Sequence, residues 1–211
     1  MTPRQENYRH LAETMIKKFN RRNMEAIYCD TAEDARKAVL DMIPKGASVT
    51  NGGSVTLDEC GILDAVKNGD YEFIDRTEAV TAEEKRAMFQ RQAGADYFLM
   101  STNAFTEEGE LVNIDGNGNR VSLLIHGPEH VIVVTGMNKL AGSTDEAIRR
   151  TQNIASPPNC VRLNCKTPCA STGLCGDCHG DGTICCQIVI TRHSRHNGRI
   201  TVVMVGENLG F

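Results

Sequence analysis

No apolar run in this sequence approaches the roughly 20 residues needed to cross a bilayer, so a membrane-spanning role is not expected. The first twenty residues, MTPRQENYRHLAETMIKKFN, carry charges throughout and lack an apolar signal core; the chain therefore reads as cytoplasmic. Excess positive charge is missing as well. Lys and Arg number 23 against 27 Asp and Glu, a formal charge of −4, whereas a broad nucleic-acid surface makes a domain basic. No nucleic-acid partner is expected. The glycine-containing stretch at Asn51, Gly52, Gly53 and Ser54 has neither a P-loop lysine nor a full dinucleotide fingerprint, which leaves it as a ligand loop or a plain tight turn.

The 211 residues are 40% hydrophobic and 24% charged, which suits one ordinary globular domain over 1–211. From residue 3 to 23, Tyr8, Leu11, Ala12, Met15 and Phe19 recur at helical spacing and predict an amphipathic N-terminal helix within 1–23. MEAIYC then reads as a strand, and TAEDARKAVLDMI as a helix capped by Thr31 and Asp34. The theme repeats through ASVT and the run from Thr56 to Lys67, then through YEFIDR and TAEEKRAMFQRQAG. Such alternation implies a mostly parallel sheet flanked by helices, an α/β fold.

From Asp96 to Leu140 the rhythm changes. Tyr97–Met100, Val121–Ile125 and Val131–Thr135 read as strands, with turns at Glu108-Gly109 and at Asp115–Gly118, so an antiparallel hairpin insertion is expected beside the main sheet. VIVVTG lacks polar alternation, as a strand covered on both faces does. Asn138 and Lys139 follow it and fall beyond a strand's carboxyl end, where open α/β sheets bind ligands. Small residues at Gly52, Gly53 and Ser54 allow backbone N–H groups to approach an anion there too. Asn103, Asn119 and Asn138 add amide groups beyond what turns alone require. Glu107 and Glu108 are candidate catalytic carboxylates, or simply a solvated turn. The run AGSTDEAIRRTQNIASPPN predicts a helix capped by Ser143 and Thr144 and stopped by Pro157 and Pro158. QIVITR and RITVVMVGENLGF predict a closing hairpin; the basic turn between them reads as solvated.

Seven of the nine cysteines fall within 160–186, with intervening gaps of four, three, five, two, six and zero residues. Large apolar groups are scarce in that segment, so burial cannot offset its ordering entropy, roughly 1–2 kcal/mol per backbone residue. A cross-link or metal is expected to hold this loop. Cys169, Cys175, Cys178 and Cys185 form the compact subset chosen here as ligands. Only Cys175 and Cys178 make a CxxC pair, and the uneven gaps favour an iron–sulfur cluster over zinc, with zinc and disulfides as the alternatives. Cys29 and Cys60 read as small buried hydrophobes.

Four ordered segments carry a family resemblance: TNGGSVTLDECG, STNAFTEEGELVNIDGNGNR, GPEHVIVVTGMNK and AIRRTQNIASPPN. Together they resemble the lactate-utilisation, or LUD-domain, proteins. The resemblance implies the architecture shared by ribose-phosphate isomerases (RpiA), glucosamine-phosphate deaminases (NagB) and coenzyme A transferases. It also implies ligand contacts at Gly52, Gly53 and Ser54 and at Glu107 to Gly109. The cysteine loop departs from the short lactate-utilisation subunits. The expected role is redox-accessory, in oxidation of lactate or a related hydroxy acid, beside other lactate-oxidation subunits. The alternative is an enzyme or sensor for a small anionic metabolite, phosphorylated or coenzyme A-linked, with a structural zinc loop. Homo-oligomerisation is compatible with either.

Overall fold

The computed structural model describes residues 2–211. The central sheet has six strands in the order β1 (Glu25–Cys29), β10 (Ile200–Val205), β7 (His130–Gly136), β4 (Tyr97–Met100), β2 (Ser48–Asn51) and β3 (Glu72–Ile74), every neighbouring pair parallel. Period-2 alternation divides its side chains between two cores. Val131 and Val133 of β7, Val202 and Met204 of β10, and Phe98 and Met100 of β4 face α1 (Pro3–Arg21). Ile132, Val134, Val203, Val205 and Leu99 face the opposite layer of α2 (Ala32–Met42), α3 (Val55–Glu59) and α4 (Ile62–Lys67). Each such side chain, fully withdrawn from water, contributes roughly 1.5–3 kcal/mol.

Local rules explain the helices. Thr2 and Gln5 close a capping box ahead of Pro3, and Ala12, Met15 and Phe19 form the buried stripe of α1. Thr31 caps α2 through the Asp34 N–H. The helical run from Thr56 breaks into α3 and α4 at Gly61, whose φ of 63° suits glycine. Beyond β3, α5 (Ala82–Ala93) starts from a second capping box, Thr81 with Glu84.

A smaller sheet sits at the carboxyl edge of the first, in the order β8 (Leu140–Ala141), β5 (Ala104–Thr106), β6 (Leu111–Asp115) and β9 (Gln187–Thr191). The β5–β6 pair is antiparallel, as the turn at Glu108-Gly109 implies. Three expectations are corrected. Residues 121–125, expected as a strand, belong to helix α6 (Asn119–Ile125): the Asp115 carboxylate accepts the N–H groups of Gly118 and Val121, and Val121, Leu123 and Leu124 are buried. A short apolar run fits either period, and here the Asp115 cap decides. Next, β9 and β10 form no hairpin, because β9 pairs antiparallel with β6 while β10 runs parallel between β1 and β7. Nor do Pro157 and Pro158 end a helix. α7 (Thr144–Arg150) continues through a π turn over Thr151–Ala155 into α8 (Ser156–Arg162), whose first turn tolerates prolines. Among the described residues no helix is long and apolar enough to cross a membrane.

Candidate functional site

Three adjacent strands, β7, β4 and β2, end at one edge of the central sheet, and the residues just past them form the floor of a cleft of about 260 Å³. β2 delivers Gly53 and Ser54; β4 delivers Ser101, Thr102 and Asn103; β7 delivers Lys139. The smaller sheet, α8 and the chain's last two residues complete the walls. This is the carboxyl-edge crevice that a parallel α/β sheet leaves open.

Lys139 is 3% exposed, on a short 3-10 turn over Met137–Lys139. Its Nζ lies 2.9 Å from Thr56 Oγ1, 3.1 Å from Ser101 Oγ and 3.3 Å from the Thr102 carbonyl, all uncharged. Burial, first, and the nearby Arg150 guanidinium push its pKa down from 10.5 to about 7, against the opposing pull of Glu59. Arg120 also lines the cleft but is already engaged. Its guanidinium donates to the carbonyls of Ser101 (3.1 Å) and Ile114 (2.7 Å) and to the side-chain oxygens of Asn113 (2.7 Å) and Asn103 (3.0 Å). Its stem explains Gly52, where an added Cβ would stand 3.0 Å from Arg120 Cγ and Cδ. Arg76 and Arg162 line the same space, and among the described residues neither is paired with a carboxylate.

The cleft therefore gathers the expected residues Gly53, Ser54, Asn103, Asn119 and Lys139. Other expected residues stand apart. Asn51 bonds the Gly52 carbonyl, and Asn138 pins the tail through both the N–H and the carbonyl of Leu209. Glu107, Glu108 and Gly109 do not line this cleft, a correction to their expected place: the β5–β6 turn carries Glu108 and Gly109 against α1, and the Glu107 N–H donates to the Ala141 carbonyl. Glu108 is 2.9 Å from Lys18, whose hydrogen bond and charge lower its pKa, and lies in a separate hollow with Arg22 and Arg192. Gly109 packs on the Lys18 backbone. Sequence reading missed Arg76, Arg120, Arg162, Thr56, Ser101 and Thr102. Ser101 and Thr102 were signalled by the strand-end rule that singled out Lys139, whereas Arg120 was hidden by the strand assignment of 121–125.

All nine cysteines are free thiols. Cys29 and Cys60 are buried, their thiols pushed up to about 11 and 12 by desolvation, and are inert packing groups. In the cysteine-rich segment, α9 (Pro168–Thr172) holds Cys169 buried. Burial raises the Cys185 pKa; Ser156 opposes this through a hydrogen bond, and the proximity of Cys175, Cys169 and Cys178 raises it further. Among the described residues no three His, Cys, Asp or Glu side chains are gathered closely enough to hold a metal ion. The set is not gathered to bonding distance. It also abuts the cleft: Ser156, 3.4 Å from Cys185 Sγ, and Ile184 both line it.

No curated protein matches this chain. A DUF162 family protein from Deinococcus radiodurans is similar in structure, with TM-score 0.51 and 13% identity over 95% of this chain and 97% of that one. Ribose 5-phosphate isomerase A from Neisseria gonorrhoeae gives TM-score 0.34 and 12% identity over 54% and 53% of the two chains. The LUD domain matches residues 12–205, nearly the whole of the fold described above, and the chain therefore belongs to the LUD-domain family, a protein of lactate-utilisation type.

Proposed function

We propose that this protein binds a small anionic metabolite in the Lys139 cleft and serves as a redox accessory in oxidation of lactate or a related hydroxy acid. The observation that carries the reading is the charge balance of the cleft. Arg76, Arg120 and Arg162 line it above Lys139 against one side-chain carboxylate, Asp115, and that carboxylate already accepts two N–H groups and lies 3.7 Å from Arg120. A volume of about 260 Å³ lies below the ~300–1,000 Å³ of drug-sized pockets and suits a ligand of few heavy atoms better than an entire coenzyme A. Calorimetry with lactate, pyruvate and inorganic phosphate tests the site. Wild type should bind at least one of them, and the double substitution Arg76→Gln with Arg162→Gln should weaken binding at least tenfold. Equal binding by that variant refutes the assignment.

Cys169, Cys175, Cys178 and Cys185 are the residues that would hold an iron–sulfur cluster. Four soft sulfur donors carried on one short segment suit it. Closing them on one centre calls for movement of residues 173–186, which carry Gly173, Gly176, Gly180 and Gly182 and no regular secondary structure. Such a group supplies one-electron chemistry when bound, and Ser156 and Ile184 connect its loop to the ligand cleft. Electrons would pass to partner subunits of the oxidation. An anaerobic absorption spectrum with metal analysis tests this: a visible band bleached by dithionite supports the cluster, whereas a colourless protein with one zinc per chain replaces it with a structural metal.

A further inference from the structure

Three of the other lysines sit beside carboxylates: Lys18 on Glu108, Lys37 on Glu33 and Lys67 on Asp75. Lys139 does not. It is nearly sealed from solvent at the cleft floor, its three hydrogen-bonding neighbours are neutral, and among the described residues no carboxylate reaches it. The charged and titratable groups around it are Arg150 from α7, Glu59 and Cys60 from the α3 end, and Arg120 from α6. Glu59 is itself engaged, accepting the Gly210 N–H at 2.6 Å. An ammonium desolvated among cations and without a partner is costly. The same surroundings accept a neutral amine. Two N–H groups can serve the Thr102 carbonyl and the Ser101 hydroxyl oxygen. The Thr56 hydroxyl then donates to the nitrogen lone pair, and turns away when that lone pair is needed.

We propose that Lys139 is a catalytic nucleophile that forms an imine with a small 2-oxo acid whose carboxylate is held by Arg76 and Arg162. The proposal rests on the anion-binding reading of the cleft and names its ligand class. An imine requires a carbonyl, two guanidinium groups with no carboxylate partner among the described residues require an anion, and the small volume requires both in one short molecule. In the step, the Nζ lone pair attacks the carbonyl carbon, a C–N bond forms, and the carbonyl π electrons move to oxygen, which takes a proton. The carbinolamine then loses the oxygen as water, a second proton completing that water as Nζ gives up one of its own. The sum is amine plus carbonyl plus one proton giving protonated imine plus water. The resulting cationic imine withdraws electrons from the neighbouring carbon, which is the usual use of a lysine Schiff base.

With its pKa near 7, about half of Lys139 is free amine at neutral pH, against roughly one part in 2,500 for an ordinary lysine. The test incubates the intact protein with pyruvate and cyanoborohydride at pH 7, maps adducts by peptide mass spectrometry, and measures pyruvate binding by calorimetry without the reductant. The reduced adduct adds pyruvate less one oxygen atom. At least a hundredfold preference for Lys139 over exposed Lys37 is expected, with acetone, a neutral carbonyl, giving at least tenfold less. Lys139→Arg should lose the adduct while still binding pyruvate, and the wild-type map decides the matter should that variant not fold. Pyruvate binding without adduct at Lys139 overturns the imine and leaves the anion site standing. Neither binding nor adduct overturns both. Equal trapping of acetone overturns the 2-oxo acid assignment.

Discussion

Replacing Lys139 by Met gives a direct thermodynamic test of its depressed pKa. Methionine keeps an unbranched stem in the same space and removes the titrating nitrogen. In the unfolded chain Lys139 regains its ordinary pKa near 10.5, while in the folded protein it sits at about 7. Below pH 7 the amine is protonated in both states and the folded protein bears the whole cost of the buried ammonium. Between about 7 and 10.5 the unfolded state binds one more proton than the folded state, so the wild type gains stability with rising pH, by up to 1.36 kcal/mol per pH unit. Integrated from pH 7 to 9, the gain is about 2 kcal/mol. Lys139→Met has no such gain, and subtracting its profile from the wild type's cancels every other titration the two share.

Urea unfolding of both proteins at pH 7, 8 and 9 is the assay. The wild-type advantage should grow by about 2 kcal/mol across that range, equivalent to roughly 4–8 °C in Tm for a chain of this size. The group is almost wholly buried, so no discount for solvent screening applies. A flat difference would mean that Lys139 stays protonated up to pH 9 in the folded protein, and the nucleophile would have to be sought elsewhere.

Arg120→Met should destabilise the fold by roughly 3–5 kcal/mol, read as a lowered urea midpoint, because it strands the four oxygens that its guanidinium serves around the cleft; a loss below ~1 kcal/mol refutes its holding role. Gly136→Ala puts a Cβ into Asn138 Oδ1 and within 2.6 Å of the Glu207 carbonyl, so the tail should lift and acylation of Lys139 by an amine-reactive reagent should quicken at least threefold at pH 8; an unchanged rate refutes the tail's cover over the cleft. Serine in place of any one of Cys169, Cys175, Cys178 or Cys185 should lower metal content and expose 173–186 to protease while far-ultraviolet dichroism is retained; full occupancy in all four variants refutes the ligand set.

Periodicity exposed the central sheet because a strand buried on both faces tolerates only apolar residues, and β7 with its continuous VIVVTG run was unmistakable. Lys139 and Gly53 could be brought to one cleft from sequence because both follow such strands. What escaped was decided by single tertiary contacts. Seven residues from Asn119 to Ile125 fit either period, and the Asp115 carboxylate, six positions upstream of Val121, selects helix. That choice turns Arg120 inward over Gly52. Likewise β9 and β10 look like a hairpin in isolation, yet β6 offers β9 an open edge while β10 fills the position between β1 and β7. Neither glutamate of the β5–β6 turn announces which way the turn bends, and packing of Gly109 on α1 sends both away from the cleft.

The cysteine segment is fastened at both ends to walls of the same cleft. At one end Cys160 is buried within α8, and the Cys165 N–H returns to its carbonyl at 2.9 Å. At the other end the Cys186 N–H donates to the Asp115 carbonyl, and β9 then pairs along β6. Ile184 packs against Gly116, where an added Cβ would lie 3.3 Å from its Cα. Drawing Cys185 toward Cys169, Cys175 and Cys178 therefore pulls on Ile184 and on the Asp115–Gly118 turn, which caps α6, the helix that carries Arg120. Arg120 in turn bonds the Ser101 carbonyl beside Lys139. Occupancy of the thiols and the shape of the anion cleft share a contiguous set of contacts, so ligand affinity should depend on metal loading and, by reciprocity, metal affinity on ligand. Calorimetry of pyruvate with metal-loaded and metal-stripped protein measures that coupling. A change of at least fivefold in Kd is expected, and identical affinities would mean that the cysteine segment and the cleft act independently.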